Sequence, residues 1–123
     1  MPAMPRFLMT MHVDADHPMA FAAEPEMIAA MGRFQDSLAE AGALISAEGL
    51  HPPERGARVR WRGGEPVVQD GPFAEAKELF AGYWIIRADS KEEAVAWARR
   101  VPAGEGVTIV VHEIWELEDL PGR

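Results

Sequence analysis

Three segments of this chain are apolar on both faces, and this limits the folds that the chain can adopt. They are the predicted strands at residues 7–13, 80–87 and 107–111, and none shows the polar alternation of a strand with one face in water. Only two segments have the spacing of an amphipathic helix, and two helices cover one side of a four-stranded sheet. The other side must be buried by something else. We therefore expect a homodimer that associates through the sheet face that the helices leave bare.

The first half of the chain predicts a strand, a helix and a second strand. Apolar residues recur at helical spacing over residues 24–41, with Pro25 near the start and Gly42 just past the end. Gly32 lies inside this helix, where we expect it to mark close packing against the sheet. The second strand is expected at residues 43–50.

The second half adds a hairpin and a repeat of the strand-helix-strand order. Residues 57–61 and 66–69 flank a Gly-Gly turn and predict an inserted β-hairpin. Ser90 and Glu93 have the spacing of a capping box and open a second helix, which Pro102 ends. The resulting order, β-α-β, hairpin, β-α-β, predicts a single α+β domain over residues 1–123.

Composition excludes several classes of function. The chain has no Cys, so disulfides and thiol catalysis are excluded, and the cytoplasm is the expected compartment. Twelve basic and twenty acidic residues give a net charge of −8, which repels phosphate backbones and argues against direct nucleic-acid binding. No apolar run approaches the roughly 20 residues of a membrane helix, so we expect neither a span nor a signal peptide. No phosphate-cradling glycine pattern appears, and no cofactor is predicted.

A turn at residues 70–78 concentrates ionisable side chains. Asp70 is a candidate general base, Lys77 could orient an anionic substrate, and Glu78 is a second candidate acid or base. Asp-Gly-Pro is also a standard turn composition. In the alternative interpretation, Asp70 caps the turn, while Lys77 and Glu78 form structural ion pairs.

The candidate ligand-binding residues are two histidines and an aspartate: His12, Asp14 and His112. Positions 12, 14 and 16 alternate to one side of an extended strand, so an imidazole and two carboxylates could converge on a substrate or metal ion. A solvated loop is the alternative, and no metal is predicted. His112 shares its strand face with Val110 and is expected to be a core or interface histidine unless it binds a ligand.

Aromatic and basic residues are interpreted as structural. We expect five aromatic side chains to pack in the core rather than to stack on a planar ligand: Trp61, Tyr83, Trp84, Trp97 and Trp115. Four arginines of the hairpin are expected to be solubilising charge on an exposed ribbon: Arg55, Arg58, Arg60 and Arg62.

Several motifs agree in order with one known family. The string DGPFAEAKE at residues 70–78 is followed by Gly82-Tyr83-Trp84 and by Ser90-Lys-Glu-Glu-Ala94, and the chain resembles the DGPF branch of the YCII-related family over nearly its whole length. This resemblance implies a ferredoxin-like β-α-β-β-α-β subunit with an inserted β-hairpin, which dimerises into an α/β barrel. Members are small bacterial proteins, many are encoded beside or fused to sigma factors, and most have no established activity.

Two features of the family pattern are missing from this chain. Some relatives are thought to use a His-Asp dyad with the histidine on the first helix, but residues 24–41 contain no histidine. The family also tends to carry an acid and an arginine in the last strand, where this chain has Val110 and His112. Neither the dyad nor an anion-binding role of that pair carries over to this chain.

Two functions remain open from the sequence. One is a dimeric protein that binds a small organic molecule or serves as an accessory or regulatory module near a sigma factor. The alternative is a small lyase- or isomerase-like enzyme that transfers protons on an organic acid or aromatic, with Asp70 as the base and Lys77 as its electrostatic partner.

Overall fold

The computed structural model describes residues 4–17, 24–73 and 77–122. These residues form six strands and two α-helices in the expected order: β1 Arg6–Asp14, α1 Pro25–Glu40, β2 Leu44–Gly49, β3 Ala57–Arg62, β4 Glu65–Asp70, β5 Glu78–Arg87, α2 Lys91–Ala98 and β6 Val107–Glu113. Short 3-10 turns lie at Pro53–Arg55 and Leu117–Asp119. Within the described ranges, no helix is long and apolar enough to cross a membrane.

Four strands form the main sheet in the order β2-β5-β1-β6, and every neighbouring pair is antiparallel. This order and the two helical crossovers confirm the ferredoxin-like α+β subunit. Strands β3 and β4 pair only with each other and form a separate two-stranded ribbon. The predicted assembly of two subunits into an α/β barrel stays a prediction.

Both helices pack on one face of the main sheet, and the core lies there. Phe34 and Leu38 of α1 and Ala94 of α2 are buried against four side chains of the two central strands: Phe7, Met9, Trp84 and Ile86. The start of α2 is fixed by Ser90, whose Oγ accepts a hydrogen bond from the Glu93 backbone N–H at 3.2 Å, as the capping-box spacing predicted. This face of the sheet is therefore covered by helices of the same chain.

The opposite face of the sheet, called the open face below, carries the alternate side chains of the same strands. Strand register places there, among others, Leu8, Thr10 and His12 of β1, Phe80, Tyr83 and Ile85 of β5, and Val110 and His112 of β6. Most of them are half-buried or exposed, and Phe80 is 43% exposed. The three two-sided apolar strands are confirmed as sheet strands. The described residues leave their second face largely uncovered, and its burial by a second subunit stays a prediction.

A bulge in β5 changes which side chains reach the open face. Met11 lies opposite Gly82, whereas His12 lies opposite Phe80, so Ala81 is an extra residue on β5. The strand also begins at Glu78 rather than at the predicted Phe80. Because of both features, Glu78 and Phe80 lie on the same face as His12.

Two packing expectations are wrong. Trp61 and Trp115 are 71% and 65% exposed, because the ribbon does not fold onto the core and Trp115 lies beyond the end of β6. Gly32 is also exposed, and a Cβ at that position would meet nothing within 4 Å, so it marks no close contact with the sheet. Trp84 and the half-buried Trp97 do pack in the core as predicted.

Candidate functional site

His12 is held by polar partners on the open face. Its Nε2 lies 2.9 Å from the Thr10 hydroxyl oxygen, and its Nδ1 lies 3.9 Å from Oε1 of Glu78. The Phe80 ring packs edge-on against the imidazole, with 5.3 Å between ring centroids. Antiparallel pairing produces this cluster, since Glu78 lies directly opposite Asp14 and Phe80 opposite His12. A hydroxyl, an imidazole and a carboxylate are therefore lined up in one row.

The Asp-Gly-Pro corner joins the ribbon to the sheet. The Gly71 N–H donates to the Gly56 carbonyl at 2.9 Å, and a Cβ on Gly71 would overlap the carbonyl of Pro53. Only glycine fits that close approach. The Gly71–Pro72 peptide is cis. The rigid turn inferred from the sequence is thus packed directly on the 3-10 turn that precedes β3.

The structure separates the three candidate catalytic residues. Glu78 reaches His12, whereas Asp70 is exposed at the end of β4, opposite Ala57 on the ribbon. Within the described ranges, the Asp70 carboxylate makes no hydrogen bond or ion pair, and the interpretation of Asp70 as a turn cap stays a prediction. The Lys77 backbone carbonyl accepts from the Ala15 N–H at 2.9 Å, which ties this residue to the end of β1. Glu75 lies outside the described residues, and the predicted catalytic roles stay predictions.

A cavity of about 410 Å³ lies on the helix side of the sheet. We call it the helix-side cavity, and its lining includes Met11 of β1, Met27 and Met31 of α1, and Pro102 and Val107 after α2. Three polar residues also line it: Asp16, His17 and Glu105. The interior is therefore apolar and rich in methionine, and the ionisable groups come from the connecting segments.

His17 is positioned by the turn after β1. Its backbone N–H donates to the Asp14 carbonyl at 2.9 Å, and its Nδ1 lies 3.9 Å from Oδ2 of Asp14. Gly106 has φ +89°, and a Cβ there would lie 2.7 Å from the imidazole. A glycine at this position gives the backbone its left-handed turn and leaves room for the His17 ring.

A second, smaller cavity of about 170 Å³ shares Met11 and Met31 with the first. We call it the Trp84 cavity, because Trp84 lines it together with Gln35 and Glu48. Trp84 is 4% exposed, and among the described residues its indole Nε1–H has no hydrogen-bond partner. A buried donor without an acceptor is rare in folded proteins.

The first strand does not gather its histidines and carboxylates into one site. His12 lies on the open face, whereas Asp16 and His17 line the helix-side cavity on the other side of the sheet. Among residues 4–17, 24–73 and 77–122, no three His, Asp or Glu side chains are placed to hold a metal ion. His112 lies opposite Leu8 on the open face and is exposed. Ligand binding by His12, Asp14 and His112 stays a prediction.

Comparison with known proteins agrees with this fold. The model of the YCII-related domain matches residues 7–118. The chain belongs to the YCII-related family. An uncharacterised protein of Rhizobium meliloti (strain 1021) is 42% identical over 65 residues, which cover 53% of this chain and 52% of that protein. The chain thus matches about half the length of this relative, and assignment to the DGPF branch rests on the motif at residues 70–78.

Sequence reasoning missed two features of this YCII-related protein. Met27 and Met31 belong to the apolar helix stripe, but a stripe predicts burial and not the empty volume beside it. Thr10 was not singled out, although its position two residues before His12 places both on one strand face. The signal for the Thr10 contact was present in the sequence, and the signal for the cavity was not.

Proposed function

We propose that this YCII-related protein is a homodimer that binds a small, mainly apolar organic molecule in the helix-side cavity. The observation that supports this is the volume of about 410 Å³, which falls within the roughly 300–1,000 Å³ typical of ligand sites, together with its apolar lining. Methionine side chains are flexible and polarisable, and they adapt to ligands of irregular shape.

The polar residues at the cavity define the charge of the ligand. Asp16 and Glu105 are carboxylates, and His17 is the only basic group among the described lining residues. The net charge of −8 adds a long-range repulsion for anions. An uncharged or cationic ligand therefore fits this site better than an organic acid does.

The proposed dimer associates through the open face. Its support is the row of half-buried apolar side chains there, which includes Leu8, Ile85 and Val110. Stable interfaces bury more than about 1,200 Å² in total, and we expect the dimer to exceed that area. We further propose that the liganded dimer acts in the bacterial cytoplasm as an accessory or regulatory module, in functional association with a sigma factor.

A cavity-filling substitution tests the binding function. Met31→Trp places an indole in the cavity and should abolish the rise in melting temperature that uncharged naphthalene derivatives cause in the native protein. Met4→Trp is the matched control, because Met4 is 42% exposed and does not line the cavity. If no uncharged apolar compound raises the melting temperature of the native protein, or if Met31→Trp responds like Met4→Trp, the proposal is wrong.

Acid-base catalysis, of the lyase or isomerase type, is the second candidate function. The observation that favours it is the Thr10–His12–Glu78 row, in which the carboxylate can orient the imidazole as a proton acceptor. His12 would then be the base, whereas Asp70 has no described histidine or lysine partner. Incubation with ketones in D2O, followed by proton NMR, tests this role. Catalysed exchange of the α-protons should disappear in His12→Gln and persist in Asp70→Asn.

A further inference from the structure

We propose that the ligand of the helix-side cavity also accepts a hydrogen bond from Nε1–H of Trp84, so that the ligand class is an apolar carbonyl compound. This inference rests on the proposed binding function and specifies it. Trp84 is 4% exposed, and its indole N–H lacks an acceptor among the described residues. A buried donor without a partner is unfavourable, so an acceptor supplied by a ligand stabilises the complex strongly.

The two cavities adjoin at the side chains of Met11 and Met31, which line both. Methionine is unbranched and has three rotatable bonds, so a modest change of rotamer connects the two volumes. The apolar body of a ligand then fills the helix-side cavity, and its polar end passes between the methionines to Trp84.

The chemistry of the Trp84 cavity selects the polar end. An indole N–H only donates, so the ligand atom must accept. The Glu48 side chain lies opposite Tyr83 on the open face and does not select the ligand, whereas the net charge of −8 disfavours a carboxylate or a phosphate. Gln35 offers an amide that can donate to the same acceptor. A ketone, aldehyde or ester oxygen satisfies these conditions.

Two probes of nearly equal size and shape separate the hydrogen bond from apolar binding. They are 2-acetylnaphthalene, which carries a carbonyl, and 2-ethylnaphthalene, which does not. By calorimetric titration we expect the native protein to bind the acetyl compound roughly fivefold to tenfold more tightly, as a buried hydrogen bond implies. In Trp84→Phe the ratio should fall to about one, while binding of the ethyl compound persists.

Trp97→Phe is the matched control. Trp84 and Trp97 both pack edge-on against Phe34, with centroid separations of 5.7 and 6.4 Å, so both variants remove an indole from the same aromatic cluster. The preference for the acetyl compound should survive in Trp97→Phe. If Trp84→Phe does not fold, the indole resonance of Trp84 in the native protein replaces it, and this resonance should move downfield with the acetyl compound only.

The outcomes distinguish the two proposals. Equal affinity for the two probes, or an unchanged Trp84 indole resonance, overturns the carbonyl inference and leaves apolar binding in the helix-side cavity standing. Failure of both probes to bind overturns the binding function and this inference together. Loss of the preference in Trp97→Phe as well as in Trp84→Phe assigns it to the aromatic cluster in general and overturns the role of Nε1.

The ribbon and the C-terminal segment carry complementary surfaces, which is an independent observation. Cross-strand pairing places Val59, Trp61, Pro66 and Val68 on one side of the ribbon, and Val59, Trp61 and Val68 are exposed there. Three arginines lie on its other side: Arg58, Arg60 and Arg62. Partial desolvation and the neighbouring charges of Arg60 and Arg62 lower the pKa of Arg58, as expected for a concentrated positive patch. The ribbon is therefore both apolar and basic.

The C-terminal segment, residues 113–120, has the opposite charge and the same apolar character. Trp115, Leu117 and Leu120 are exposed, and they alternate with four acids: Glu113, Glu116, Glu118 and Asp119. We infer that the ribbon of one subunit docks on the C-terminal segment of a second copy. Opposite charge steers such a contact, and the exposed tryptophans supply buried area.

The sheet places these surfaces at diagonally opposite corners. Strand β2 is one edge and ends level with Met11 of β1, whereas β6 is the other edge and ends level with Phe7. The ribbon follows β2, and the C-terminal segment follows β6. In the proposed dimer the open faces of the two subunits are in contact. A two-fold axis that runs between them, parallel to the diagonal that joins the other two corners of the sheet, places the ribbon corner of one subunit over the C-terminal corner of the other. Each ribbon then meets the C-terminal segment of the partner, and the two contacts are equivalent.

Charge reversal tests this contact by sedimentation equilibrium. The Arg60→Glu/Arg62→Glu and Glu113→Arg/Glu118→Arg variants should each weaken dimerisation at least tenfold, and the variant that combines all four changes should recover most of the affinity. Arg99→Glu, at the exposed residue that follows α2, should leave dimerisation unchanged. A monomeric native protein, unchanged dimers in both double variants, or no recovery in the combined variant each overturns the inference.

Discussion

The two faces of the main sheet share one backbone and one strand register, yet they are covered differently. On the helix face, Met9 and Ile86 are 0% exposed because α1 and α2 of the same chain cover them. On the open face, Phe80 and Val110 keep solvent contact although they are equally apolar. Burial on the helix face is therefore a property of the subunit, whereas the open face would be buried only in the proposed dimer.

The largest expected effect comes from the helix face. Met9→Ala removes a fully buried side chain, and we expect the free energy of unfolding to fall by about 2–5 kcal/mol. Leu8→Ala is the matched control, because Leu8 is the preceding residue of β1 and lies on the open face. Urea unfolding at a protein concentration below the dimer dissociation constant measures both. Equal losses in the two variants would break the distinction between the faces.

The next effect belongs to the open face and concerns association. Phe80→Ala should weaken dimerisation by about 2 kcal/mol, because truncation of an aromatic residue is typically among the costliest changes at an interface. Val95→Ala on the exposed surface of α2 should leave dimerisation unaltered. Light scattering over a dilution series gives both dissociation constants. A Phe80→Ala protein that dissociates like Val95→Ala contradicts the proposed interface.

Thr10 sharpens the comparison because it is an exception to it. It lies on the open face but is only 4% exposed within the subunit, and its hydroxyl contacts His12. Thr10→Val keeps the shape and removes the hydrogen bond, so we expect a loss of about 1 kcal/mol in subunit stability. Thr108→Val, on the same face and exposed, should change stability by less than about 0.5 kcal/mol. Thermal unfolding compares the two variants, and a silent Thr10→Val would show that the contact with His12 contributes nothing.

The smallest expected effect lies off both faces. Asp70 is exposed on the ribbon without a described partner, so Asp70→Ala should change stability by less than about 0.5 kcal/mol. Asp70→Asn, which keeps the size and removes only the charge, should behave in the same way. Thermal unfolding with and without a bound ligand measures both variants. A loss of ligand binding in both, with normal folding, would establish Asp70 as a site residue after all.

Local patterns predicted the architecture because helix and strand periods are properties of neighbouring residues. The two-sided apolar pattern of residues 80–87, for instance, was sufficient to predict an uncovered sheet face. The hairpin pattern of residues 57–69 likewise predicted a strand at Trp61, but it could not show that this strand pairs only with β4. A periodic apolar face indicates that something covers it and does not identify the covering element.

The candidate site was harder to predict because it depends on long-range register. Asp70 and Glu78 stand close together in sequence, and the structure assigns one to the ribbon and the other to His12. That pairing is fixed by β1 and β5 meeting across more than sixty positions, with a bulge at Ala81. The unpartnered Trp84 N–H is likewise a result of how the core packs, which no local motif encodes.

The bulge at Ala81 also determines which sequence changes β5 can tolerate. Glu78 and Phe80 are separated from Trp84 by even numbers of residues, so in a regular strand all three side chains would face the helices. The bulge shifts the alternation by one residue and turns Glu78 and Phe80 to the open face. A relative whose β5 is regular must either lack one residue between positions 80 and 82 or carry exchanged polar and apolar positions upstream of it. Relatives with a one-residue gap at this point should therefore keep the polar and apolar order of residues 77–80. Relatives with a regular β5 of full length should show the opposite order there.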